Sequence, residues 1–197
     1  MRNLIFLLSL LISSFAFAQT TSLPVDFEGG PGSVTFTDFD GGVTSIIENP
    51  DSSAVDTSDF VAEHIRDGGE VWAGTYITLD AALDFSTNNT FKIKVWSPAT
   101  DIPVLFKLEN ADASQATELT ANTTVANEWE ELTFNFDGQP SGVYTKIILI
   151  FNNGVTGDGT ANSTYYFDDI EFLEGQTASV PTVAAPTPTQ DEANVIS

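Results

Sequence analysis

The sequence predicts an all-β domain, a sandwich or a barrel, and three observations carry that expectation. Apolar and polar residues alternate with period two across residues 23–173. Gly, Asn, Asp or Pro interrupts the alternation about every ten residues, the spacing expected of short strands joined by turns. No stretch shows the wider apolar stripe of a helix, and no solenoid or propeller repeat is visible.

Taken in order, residues 34–37 read as a first strand, closed by Asp40-Gly41-Gly42. Residues 43–48 follow and end at Asn49-Pro50. Residues 72–79, 91–96, 104–109, 130–136, 144–151 and 164–172 complete the set, rich in Thr, Val, Ile and Phe. Residues 60–66 fit either a strand or a single helical turn capped by Ser58, and the strand is the favoured reading.

Flanking this core are two segments of different character. Met1-Arg2-Asn3 and the apolar run 4–17, followed by Ala16-Phe17-Ala18, predict a signal peptide over residues 1–18, cut to leave Gln19. The chain is therefore expected to be secreted, periplasmic or at the cell surface. Residues 19–175 form the domain, and residues 176–197 have the Thr, Pro and Ala content of a linker, which suggests further modules downstream. The chain has no cysteine, so neither a disulfide nor an acylated membrane anchor is expected.

A formal charge of −22, from 28 acidic and 6 basic residues, argues against nucleic acid and anionic membranes as partners. Neutral glycans, cations and basic partners stay compatible with it.

Alternation also assigns faces. Phe91, Ile93 and Val95 point one way, and Lys92, Lys94 and Trp96 the other. Val104, Phe106 and Leu108 face inward, leaving Leu105, Lys107 and Glu109 outward. Ile77 and Leu79 read as core, which puts Trp72 and Tyr76 on the opposite face. Basic residues thus share faces with exposed aromatics on a strongly negative chain. Rings that stack on the apolar faces of sugars, beside groups that bind hydroxyls, make such a platform fit a polysaccharide. The candidate ligand-binding residues are Trp72, Tyr76, Lys94, Trp96, Lys107 and Glu109, whereas Trp129 reads as a packing residue.

Near the two ends of the domain lie Asp26-Phe27-Glu28-Gly29 and Tyr166-Phe167-Asp168-Asp169-Ile170. Asp168 or Asp169 must point inward or sit at a strand end, where an unpaired carboxylate is costly. A hard cation with oxygen ligands would offset that cost, and a hydrogen-bonded acidic edge is the alternative. Catalytic constellations are poor: His64 stands alone, without a thiol or an evident Ser partner, so this domain by itself is not expected to be an enzyme. The alternatives to glycan binding are a structural or adhesion spacer and, behind it, a jelly-roll glycoside hydrolase or lyase.

The runs Asp26-Phe27-Glu28, Glu48-Asn49-Pro50-Asp51, Val71-Trp72-Ala73-Gly74, residues 104–110 and 129–134, and Tyr166-Phe167-Asp168-Asp169-Ile170 together resemble galactose-binding-like jelly-roll modules. They are similar to the carbohydrate-binding modules of secreted glycan-degrading proteins of marine Bacteroidetes, often found beside laminarinase-type catalytic domains. The resemblance covers residues 23–173. It implies a two-sheet antiparallel jelly-roll β-sandwich, non-catalytic binding of a poly- or oligosaccharide such as a β-1,3-glucan, and a structural calcium. On that resemblance Glu28, Asp168 and Asp169 correspond to the metal end, and Trp72, Lys107 and Glu109 fall on strands that line binding faces. Ser52-Ser53-Ala54-Val55-Asp56 departs from a Gly- and Asn-containing stretch in those modules.

Overall fold

The computed structural model describes residues 21–175; the expected signal peptide and the expected linker lie outside them. Ten strands form two antiparallel five-stranded sheets packed face to face. The strands are β1 Phe36–Phe39, β2 Gly42–Glu48, β3 Phe60–Arg66, β4 Gly74–Thr78, β5 Asn88–Trp96, β6 Pro103–Glu109, β7 Ala116–Asn122, β8 Trp129–Asn135, β9 Lys146–Phe151 and β10 Thr164–Glu174. The first sheet has the order β1-β4-β9-β6-β7 and the second the order β2-β3-β10-β5-β8. A single 3₁₀ turn, Ala161–Ser163, is the helical element among the described residues. Of the sandwich or barrel that the alternation allows, the sandwich is the observed fold, as the resemblance implies.

Residues 60–66 are a strand, paired with β2 and β10. The ambiguity arose because Ala62, His64 and Arg66 are all inward, so polar side chains occupy core positions. Two boundaries differ from expectation in ways that matter below. Trp72 precedes β4 and lies in the β3–β4 loop, and β7 was not anticipated at all. The β7 sequence ATELTAN is exposed or half-buried throughout, as an outer edge strand can be, and so leaves no apolar alternation to read.

Phenylalanine dominates the interior. Phe91 stacks on Phe172 with centroids 4.5 Å apart and leans on Phe106 at 4.9 Å, while Phe151 stacks on Tyr165 at 5.1 Å. Such pairs add about 0.5–1.5 kcal/mol each beyond the area they bury. The chain ends of the domain are tied by backbone: Val25 N donates to Ile170 O at 3.0 Å and Ile170 N to Val25 O at 2.9 Å. Beside that clasp Asp169 adopts a positive φ of 46°, where β10 shifts register against β5.

Candidate functional site: a groove on the outer face of the first sheet

β9 is central in the first sheet, and its run Ile147-Ile148-Leu149-Ile150-Phe151 is apolar on both faces. Ile147, Leu149 and Phe151 enter the core. Ile148 and Ile150 point the other way and join Leu105 of β6 in a second apolar cluster, against which Phe39 and Tyr76 pack. An outer sheet face in water ordinarily carries polar residues, so an apolar cluster there marks a place built to be covered.

Over that cluster lies an open groove of about 440 Å³. One cross-strand row spans its floor: Tyr76 of β4 pairs with Ile148 of β9, Ile148 with Lys107 of β6, and Lys107 with Glu118 of β7. The row therefore passes from aromatic to apolar to charged. Gly74 lets the aromatic side close, because a Cβ there would come within 2.9 Å of both Phe39 Cζ and Ile150 Cγ1. At the polar side Lys107 Nζ contacts Glu109 Oε1 at 2.7 Å, two residues along the same strand face. The Lys146 ammonium sits 5.3 Å from the centroid of the Tyr76 ring.

Trp72 forms the wall. Its side chain is 49 % exposed, yet it is oriented: Nε1 donates to Asp40 Oδ2 at 2.8 Å. An exposed indole held by its polar edge presents its ring to whatever enters the groove. Four of the six expected ligand residues, Trp72, Tyr76, Lys107 and Glu109, thus line one groove.

The other two do not. Lys94 and Trp96 lie on β5, on the outer face of the second sheet. Trp96 Nε1 donates to Asp51 Oδ2 at 2.9 Å, and the ring packs 5.0 Å from Tyr166. Lys94 Nζ bonds Asp169 Oδ2 at 2.6 Å and lies 3.8 Å from Asp56. Alternation assigns a side chain to a face of its strand, but which sheet the strand joins depends on distant partners. Trp129 is buried and donates to Asp51 O at 2.9 Å, a packing role as expected.

Groove residues that the sequence reading passed over are Phe39, Ile148, Ile150, Glu118 and Asn153. The signal for two of them was present: an apolar run on both faces of an antiparallel strand implies that its outer face is covered or apolar.

The acidic end is organised differently from the expectation. Among the described residues no three His, Cys, Asp or Glu side chains are grouped to hold a metal ion. Glu28 Oε1 accepts from Phe60 N at 3.2 Å, at the start of β3. Asp168 is fully buried beneath the β2–β3 loop, and neither of its carboxylate oxygens makes a well-formed hydrogen bond. Burial pushes its pKa up to about 8; the Ser58 hydroxyl and Asp169 amide oppose the shift, and the charges of Asp169 and Asp56 add to it. Asp56 is also buried, with Oδ2 unpartnered. These orphaned oxygens are hard donors of the type calcium takes, so the donors, though not a complete ligand set, fit such an ion.

His64 is enclosed between the sheets. The Thr44 hydroxyl donates to Asp38 Oδ1 at 2.6 Å, which leaves His64 Nδ1 to donate to Thr44 Oγ1 at 2.8 Å. Burial holds the imidazole pKa down at about 4, with Asp38 opposing and Arg66 reinforcing. It has no open face toward a substrate.

No protein-family model matches the sequence, and no curated protein is significantly similar to it. Solved structures are similar in fold. One, from a study of promiscuous specificity in carbohydrate-binding modules of the β-sandwich superfamily, shares 15 % identity at a TM-score of 0.52. That superposition covers 80 % of this chain and 64 % of the other, just under two thirds of its length. The xylan-binding CBM22-1 domain of Paenibacillus barcinonensis Xyn10C shares 13 % identity at 0.52, covering 77 % of this chain and 93 % of that one. TmCBM61, solved with β-1,4-galactotriose, shares 12 % at 0.51 and covers 80 % and 100 %.

The fold is that of β-sandwich carbohydrate-binding modules. At these identities the likeness concerns the backbone, and the groove has to be judged on its own side chains.

Proposed function

We propose that this chain is a non-catalytic module that binds a polysaccharide in the groove of the first sheet. The observation that carries this reading is the exposed, oriented indole of Trp72 beside an apolar floor on an outward sheet face. The floor of Leu105, Ile148 and Ile150 and the rings of Trp72 and Tyr76 match the apolar faces of sugars. Lys107, Glu109, Glu118 and Asn153 supply donors and acceptors for hydroxyls. A β-1,3-glucan is the first ligand to try, with xylan, β-1,4-galactan and mixed-linkage glucan next. We infer that the protein is exported, from the signal-peptide pattern of residues 1–18.

Gel retardation of the domain in each soluble polysaccharide tests the proposal, together with an assay for released reducing sugar. Retardation without hydrolysis is expected. Trp72→Ala should weaken binding by about tenfold or more, since a stacked ring is worth about 1–3 kcal/mol in nucleobase platforms, taken here as an analogy. Its melting temperature should stay near wild type, because half the side chain is already in water. A module that ignores the whole panel, or a Trp72→Ala variant that binds like wild type, would sink the idea.

A further inference from the structure

Arg66 ends β3 in the second sheet and points into the interior, where its side chain is 1 % exposed. No carboxylate pairs with it among the described residues, although an arginine keeps its charge even in the interior. A buried cation without a counter-ion is expensive, so what it bonds to is informative. Its acceptors are three backbone carbonyls: Asn152 O at 2.7 Å from Nη1, and Val71 O at 2.9 Å and Glu70 O at 3.3 Å from Nη2. Glu70 and Val71 immediately precede Trp72. Asn152 immediately precedes Asn153. The guanidinium therefore holds the two loops that supply the wall of the groove and one of its polar groups.

Backbone bonds continue the same connection. Gly154 N donates to Val71 O at 3.0 Å, Glu70 N to Asp40 O at 2.8 Å and Asp67 N to Gly41 O at 2.8 Å. Asp40 is also the acceptor that orients the Trp72 indole. Glycines permit this closeness: a Cβ at Gly41 or Gly69 would strike the facing turn, and one at Gly157 would strike the Arg66 carbonyl. Two loops thus converge on one guanidinium, and the β1–β2 turn is bonded in turn to the first of them.

We propose that Arg66 is a positioning residue for the groove, fixing Trp72 before any ligand arrives by bonding the carbonyls of Glu70, Val71 and Asn152. This rests on the polysaccharide-binding reading of the same groove, and its test has a part that needs no ligand. Lysine keeps the charge but lacks the planar fork that reaches both loops. In Arg66→Lys the indole N–H resonance of Trp72 should shift or broaden, while those of Trp96 and Trp129, both held by Asp51, stay in place. Affinity for the best-retarding polysaccharide of the panel should fall about tenfold. In a Trp72→Ala background the same substitution should cost almost nothing further, because its effect passes through the indole.

A folded Arg66→Lys variant with an unmoved Trp72 signal would overturn the proposal, as would losses that simply add in the double variant. Should the variant fail to fold, wild-type relaxation decides: backbone order parameters of residues 70–73 near 0.85 in the free protein are expected, and values below about 0.6 refute a preset wall. If the wild type binds no polysaccharide, the function falls while the indole and relaxation measurements still judge Arg66.

Discussion

Two buried titratable side chains pull the stability of this protein in opposite directions with pH. His64 has its folded pKa lowered to about 4, so the unfolded chain takes up the proton first, and stability is lost as pH falls from about 6.5 toward 4. Asp168 has its folded pKa raised to about 8, so the folded state holds the proton longer, and stability is lost as pH rises from about 4 through 8. Between about pH 4 and 6.5 the two slopes oppose each other, and above 6.5 that of Asp168 acts alone. Urea midpoints in chelator-treated protein should therefore fall between pH 6.5 and 8, and Asp168→Asn should flatten that arm. A flat wild-type profile there would contradict the burial of an uncompensated carboxyl. Calcium should reverse the trend if the orphaned oxygens of Asp168 and Asp56 bind it. At a hundredfold excess over its dissociation constant, an ion that binds the native state alone adds about 2.7 kcal/mol. Melting temperatures with calcium and with chelator at pH 8 provide the check, and identical values would leave an acidic edge without a metal.

Among the strands, β9 shows most clearly what one element does for two surfaces. Leu149 points into the core and Ile150 into the groove, one residue apart. Leu149→Ala should cost about 2–5 kcal/mol of stability, the usual range for emptying a core site. Ile150→Ser should chiefly reduce polysaccharide affinity, with a smaller loss of stability; equal effects on both properties from both variants would show that the two faces are not separable. The sequence made such face assignments readable, because the side-chain period of a strand is local. Tyr76, Lys107 and Glu109 were recognised as outward for this reason. Sheet membership was not readable in the same way, and Lys94 and Trp96 were grouped with residues that lie on the far side of the sandwich. β7 is not legible because its inward face carries only Thr117, Leu119 and Ala121, too short and too exposed a set to stand out as an apolar alternation. Trp72 acts from a loop where the alternation predicts a strand, held there by Arg66 across a turn and by Asp40, far from it in sequence.

At the scale of the whole molecule, two sheets divide the labour. The second buries the carboxyl of Asp168 beneath the β2–β3 loop, and the first carries a groove with an apolar floor on its outer face. The strongly acidic surface elsewhere discourages self-association through that face, since like molecules carrying this charge repel one another. The row Tyr76, Ile148, Lys107 and Glu118 has a further consequence when it is treated as a scale of length. A polymer lying across the strands meets a new side chain about every 4.8 Å, whereas one lying along a strand meets the next same-face side chain only after about 6.7 Å. Four strands give three such intervals, so a crossing ligand is measured over about 14 Å. Calorimetry with oligosaccharides of increasing length should show affinity climbing in steps and then levelling once that span is filled. Affinity that keeps rising well beyond it would mean that the sugar chain runs parallel to the strands, past the ends of the groove.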